Sequence, residues 1–160
     1  MTQHYAVRGR EKASEAYHYT QCGLDDVFLL NGYKRHQTSY GSGVTVENAE
    51  GLHHAIAEHL CRNKAFLSSK EFRFLRKLLD LTQAELAVFL GCDAQSIARW
   101  EKGKTDINGA ADKLVRVLYL ASRLGDIDAA ELIKKISALD AKITDRQEFE
   151  DTPEGWKAAA

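Results

Sequence analysis

Residues 81–104, LTQAELAVFLGCDAQSIARWEKGK, decide how this chain is read. Thr82 followed three residues later by Glu85 is a capping-box spacing, and it starts a helix that Leu86, Ala87 and Leu90 make apolar on one side. Gly91 ends that helix, because glycine accepts the left-handed cap conformation. Asp93 can cap a second helix, anchored by Ile97 and Trp100 and stopped at Gly103. Two helices separated only by Gly-Cys-Asp make a helix-turn-helix. Small Ala87 lets the helices cross closely. The face opposite Ile97 and Trp100 carries Ala94, Gln95, Ala98 and Arg99, left for solvent or a partner.

A plain helical hairpin has the same spacing, so chemistry must separate the readings. One helix fits the DNA major groove, where Gln pairs with adenine and Arg with guanine in a bidentate way. Lys102 and Lys104 lie just beyond, where a phosphate would pass. Charge is distributed accordingly: residues 62–106 hold nine Lys/Arg against six Asp/Glu, while 1–61 hold five against seven and 107–160 eight against ten. The excess is modest and matters only if it lies on one surface.

LTQAELAVFLGCDAQSIARWEKGKT resembles the XRE family, the Cro and phage-repressor type of helix-turn-helix. Leu81-Thr82-Gln83, Glu85-Leu86-Ala87, Leu90-Gly91, Ser96-Ile97, Trp100-Glu101 and Gly103 carry the likeness, which extends from about Ser69 to Leu120. It implies a recognition helix beginning near Ala94. It also implies a phosphate contact by Gln83 and an ion pair between Arg76 and Glu101. With the exposed face, this gives a DNA-contacting set of Gln83, Ala94, Gln95, Ser96, Arg99, Lys102 and Lys104. Ala94 departs from the polar residue common there and offers only apolar contact, for example to a thymine methyl. The usual proline after the Glu-x-Gly turn is replaced by Thr-Asp-Ile.

Around this core, the expected fold is α+β. Residues 1–14 read as a loose tail, and 15–63 as a small β-rich domain with a helix. Residues 64–124 read as the helix-turn-helix domain, and 125–160 as a C-terminal helix and polar tail. VFLL, Asn31-Gly32 and YKRHQTS give a hairpin signal, since Asn-Gly accepts a type I′ turn. EAYHYT and GVTV add strands, with Gly-Ser-Gly at 41–43 as a turn. Asn48 caps a helix with Leu52, Ile56 and Leu60 inward, ending near Arg62-Asn63. Ser68 and Glu71 form a capping box before Phe72, Leu75 and Leu79. Asn108 caps a helix with Leu114, Val117, Leu118 and Ala121 inward; Val115, Tyr119 and Leu120 lie off that face. Leu132, Ile136 and Leu139 mark a helix over 127–143, and TDRQEFEDTPEGWKAAA reads as a frayed tail.

The order of elements, and YHYTQCGLDDVFLLNGY within about 17–62, resemble regulators grouped with MqsA-type antitoxins. In that group the N-terminal domain holds zinc through paired CxxC motifs and contacts a ribonuclease toxin. This chain has Cys22, Cys61 and Cys92 but no CxxC, so no metal is expected and a toxin partner for residues 15–62 stays open. His53, His54 and His59 have poor ligand spacing on one helix. No nucleophile–base pair, phosphate loop or carboxylate dyad stands out, so no enzyme and no cofactor are expected. No run of 18 apolar residues and no signal-type leader appear, and the cysteines suit a reducing compartment. The expected location is the cytoplasm, at the nucleoid when bound. The reading is a sequence-specific, DNA-binding regulator, a homodimeric repressor on double-stranded DNA at an inverted repeat. The alternatives are an antitoxin that also represses its own operon, and an interaction module that no longer binds DNA.

Overall fold

The structure is a computed structural model that describes residues 15–139 and 146–159, together with the backbone of residues 3–7. The chain divides into two compact units, one of residues 1–56 with 145–160 and one of residues 57–144.

The first unit holds two sheets. β1 (Gln3–Val7), β4 (Tyr33–Thr38) and β5 (Gly41–Val46) form an antiparallel sheet in the order β1-β4-β5. β2 (Tyr17–His18), β3 (Val27–Leu29), β6 (Gln147–Thr152) and β7 (Gly155–Ala158) form the other, in the order β2-β3-β6-β7, with β3 and β6 parallel. Val27, Leu29, Tyr33, Phe149 and Trp156 are buried. Three expectations change here. The loose tail contains a strand, β1; the remainder of 1–14 lies outside the described residues. The Asn31-Gly32 hairpin does not form, because β3 and β4 belong to different sheets. The C-terminal stretch is a β-hairpin and not a frayed tail, with Phe149 and Trp156 in the core.

Why Asn31-Gly32 crosses between sheets is visible in its bonds. Asn31 is buried, and its amide pairs with the backbone of Asp151 in both directions: Nδ2 donates to the carbonyl at 3.1 Å, and Oδ1 accepts from the N–H at 2.6 Å. A side chain thus replaces a strand neighbour. Only Gly32 takes a positive φ, of 75°, and a Cβ there would stand 2.5 Å from the Trp156 ring. The Trp156 indole donates to the Glu47 carbonyl at 2.9 Å. The hairpin that does form joins β4 to β5 through Ser39-Tyr40, so Gly41 and Gly43 lie inside β5.

Helix α1 (Ala49–Asn63) follows Asn48, whose side chain accepts the Gly51 N–H at 3.2 Å. Leu52, Ile56 and Leu60 are fully buried.

The second unit contains α2 (Ser69–Leu78), α3 (Gln83–Leu90), α4 (Ala94–Glu101), α5 (Gly109–Leu124) and α6 (Ala129–Ser137). Ser68 and Glu71 make the full capping box; Thr82, Asp93, Asn108 and Asp128 each cap the helix they precede. Gly91 ends α3 with φ 68°. On α6, Leu132 and Ile136 are buried; the helix is shorter than the expected 127–143, and half-buried Leu139 lies beyond its cap, Ala138, while 140–143 lie outside the described residues.

On α5 the expected face is rotated. Ala111, Val115, Tyr119 and Leu120 are buried, whereas Leu114 and Ala121 are exposed and Val117 and Leu118 half-buried. The cause is a buried ion pair within the inward stripe. Arg116 is completely buried, and its Nε donates to the Asp112 carboxylate at 2.7 Å. Its other nitrogens donate to the carbonyls of Lys64 and Ala65. The second Asp112 oxygen accepts the Leu67 N–H at 2.9 Å. Arg116 and Asp112 therefore tie the connection before α2 to α5, and burying the charges is tolerable only because each is bonded several ways.

Asp112→Ala should cost about 3–5 kcal/mol in urea denaturation, because it leaves Arg116 buried without its carboxylate. A chain ending at residue 139 should lose amide-exchange protection in β3 and β4 while α2–α5 keep theirs, since β6, Phe149 and Trp156 are gone.

Candidate nucleic-acid interface

The interface is organised from beneath by one carboxylate. Glu101, in the last turn of α4, accepts two bonds from Arg76 of α2: Nε to Oε1 at 2.5 Å and Nη2 to Oε2 at 3.0 Å. Arg76 also donates to the Leu81 carbonyl at 2.9 Å. Gln83, the first residue of α3, donates its side-chain N–H to Glu101 at 2.7 Å. One carboxylate therefore couples α2, the entry to α3 and the exit of α4. Fork-to-fork geometry of this kind fixes direction as well as distance. Both partners are largely buried, at 12% and 4% side-chain exposure.

Apolar packing sets the rotation of α4. Ile97 and Leu86 are fully buried, Trp100 is buried, and the Trp100 ring meets Phe72 edge-on with centroids 5.8 Å apart. With Ile97 and Trp100 inward, Gln95 and Arg99 are exposed one turn apart, and Ala94, Ser96 and Ala98 are half-buried beside them. Lys102 and Lys104 are exposed in the loop that follows. The Ser96 backbone N–H donates to Asp93 at 2.7 Å; with the Ser96 hydroxyl it holds the Asp93 carboxyl below its usual range.

Of the sequence-derived residues, the fold brings Ala94, Gln95, Ser96 and Arg99 onto one helix and puts Lys102 and Lys104 at its end. Gln83 differs, because one of its side-chain hydrogens is already used by Glu101. Two features escaped the sequence reading. Lys70, Arg73 and Lys77 are exposed on α2, and a Cβ on Gly103 would stand 3.5 Å from Ser69 Oγ, so the Lys102–Lys104 loop runs beside the start of that helix. Val88 and Phe89 are exposed on α3, at 82% and 56%.

No group of three His, Cys, Asp or Glu among the described residues is placed to hold a metal ion. His53 accepts or donates a 2.8 Å bond with the Tyr19 hydroxyl, and burial lowers its pKa. Burial raises all three thiols, Cys61 to about 12, which disfavours the nucleophilic thiolate. No helix among the described residues is long and apolar enough to cross a membrane.

Residues 72–111 match the family model described as helix-turn-helix, which is 40 of the chain's 160 residues. No curated protein and no solved structure matches the chain. The matched segment runs from α2 into α5 and contains Arg76, Glu101 and the whole exposed face of α4. It is a helix-turn-helix domain of the XRE type, and it supports a DNA-binding transcriptional regulator. The family is one of DNA-binding domains and not typically of enzymes.

Glu101→Ala should cost roughly 3 kcal/mol in chemical denaturation, because Arg76 is left buried without its carboxylate. The Gln83 side chain should lose order in NMR relaxation of the same variant.

Proposed function

We propose that this protein is a sequence-specific repressor that binds duplex DNA as a symmetric dimer at an inverted repeat. The observation that carries the reading is the exposed face of α4, where Gln95 and Arg99 project one turn apart from a helix locked by Glu101 and Trp100. A rigid helix with base-reading side chains on its outer face is what major-groove readout requires. In this reading Gln95 and Arg99 meet base edges, and Ala94 and Ser96 flank them at the helix start. Lys102 and Lys104 take phosphates. Gln83, oriented by Glu101, offers its remaining side-chain hydrogen to the backbone. The Arg76–Glu101 pair touches no DNA and positions the parts that do.

A dimer follows from the energetics. One such helix reads only a few base pairs, and the local charge excess is small, so two half-sites are needed for useful discrimination. Their centres should lie about 34–36 Å apart, or a multiple of this, to present one face of the duplex. Repression would act by occluding a promoter.

A second reading adds a toxin as protein partner. Its support is the β-rich unit that accompanies the helix-turn-helix, in the element order described above. That unit takes in β6 and β7, so such a surface would not be confined to residues 15–62. Co-expression with a toxic small protein encoded next to this chain, and rescue of growth, would support it.

DNA selection on the purified protein should return an inverted repeat. Arg99→Ala should then lose about 1–3 kcal/mol on that site and relax one position of the sequence. Lys102→Ala should weaken all sequences alike and flatten the salt dependence by about one unit of slope. Unchanged affinity in both variants, or a monomer by light scattering that binds half-site and repeat equally well, would refute the reading.

A further inference from the structure

We infer that the outer face of α2 is a second phosphate-binding surface, on which Arg73 and Lys77 continue the line of cations begun by Lys102 and Lys104; this rests on the reading that the chain binds DNA.

Position is the first ground. α2 meets the C-terminal end of α4 at two points. A Cβ on Gly103 would stand 3.5 Å from Ser69 Oγ, and Arg76 donates two bonds to Glu101. Ser69, Arg73 and Arg76 are spaced four and then three residues apart, so they follow one another along one side of the helix. Arg73 therefore sits between the two contacts, one turn from the place where the Lys102–Lys104 loop touches α2. Arg76 is turned under α4 and largely buried, whereas Arg73 is exposed. Lys77 follows Arg73 by four residues and Lys70 precedes it by three, and both are exposed on the adjoining side. Lys70 to Lys77 covers about 10 Å of helix axis, long enough to follow a strand past more than one phosphate.

The partition of charge is the second. The carboxylates of this region that could neutralise the cations are drawn inward. Glu71 is buried, accepts the Ser68 N–H at 2.8 Å and lies 3.5 Å from Lys64 Nζ. Glu101 is occupied by Arg76 and Gln83. Between Ser69 and Leu78 there is no acid other than Glu71, and the first exposed one, Asp80, comes after the helix. Neither Arg73 nor Lys77 is held in an ion pair among the described residues. The outer face of α2 is thus left positive along its length, and Arg73 presents a planar fork that matches a phosphate.

The third ground is what the face lacks. From Ser69 to Lys77 the exposed residues are Lys70, Arg73 and Lys77 alone. A protein partner would call for an apolar anchor, and none is offered there. Cations without apolar company suit a polyanion, which gains its affinity by releasing counterions.

The test uses the full chain and fluorescence anisotropy, with the selected inverted repeat and an unrelated duplex of equal length, across a range of salt. Arg73→Gln/Lys77→Gln should weaken binding to both duplexes by about tenfold near physiological salt and flatten the log–log salt slope by about 2 per protomer bound. Arg73→Lys/Lys77→Arg keeps both charges and should keep most of the affinity and slope. Near-UV circular dichroism of Trp100, which packs on Phe72, reports whether α2 stays in place. If the first variant fails this check, Lys77→Gln alone decides, with an expected slope change of about 1. Wild-type affinity and slope in the folded Gln variants would overturn the proposal. So would equal loss in the charge-keeping variant, or loss confined to the inverted repeat, because phosphate contacts carry no sequence information. Arg99→Ala separates the two readings. Loss in Arg99→Ala with none in the α2 variants overturns the α2 surface alone, whereas loss in the α2 variants with wild-type behaviour of Arg99→Ala overturns base reading by α4 alone.

Discussion

The two bonds from Arg76 to Glu101 are the constraint on which the helical unit's surface depends. A recognition helix must hold its outward side chains to a fraction of an ångström, and α4 is only eight residues long. Its own hydrogen bonds cannot supply that rigidity. Glu101 anchors the C-terminal end of α4 to α2, and through Gln83 to the start of α3. Ile97 and Trp100 then set its rotation, and Asp93 closes its N-terminus. These groups lie beneath the exposed face or at its ends, and the side chains of Gln95 and Arg99 are exposed on it.

A second buried ion pair shows how charge can mislead a reading by periodicity. Asp112 and Arg116 are four residues apart on α5, and as charged residues they look like solvent-facing positions. Counting them outward turns the helix so that Leu114 and Leu118 point inward. The fold does the reverse, because Arg116 can bond the carbonyls of Lys64 and Ala65 as well as Asp112. The apolar residues displaced from the inward face, Leu114 and Ala121 with half-buried Val117 and Leu118, are then what α5 leaves toward solvent or a partner.

The sheets of the first unit carry the same lesson about distance along the chain. β3 pairs with β6, across a separation of more than a hundred residues, and Asn31 pairs with Asp151. Asn-Gly is a turn signal when two adjacent strands are known to pair. Here β3 pairs with β2 on one side and, on the other, with β6 at the far end of the sequence, and Asn31 is more useful as a surrogate strand neighbour than as a corner. Polar, charged flanks made QEFEDT and GWKA look like a tail, although Phe149 and Trp156 fill the core.

Sequence alone determined what local interactions decide. Ser68, Thr82, Asp93 and Asn108 mark helix starts, and Gly91 a stop, because capping bonds span three or four residues. Ile97 and Trp100 set the exposed face of α4 for the same reason, as helical periodicity is local. Tertiary structure decided the rest: which strands pair, which face of α5 turns inward, and that Gln83 answers to Glu101. Those outcomes depend on partners brought together from distant positions. Whether a charge is buried or a turn formed is set by the bonds those partners offer, and no window of neighbouring residues contains them.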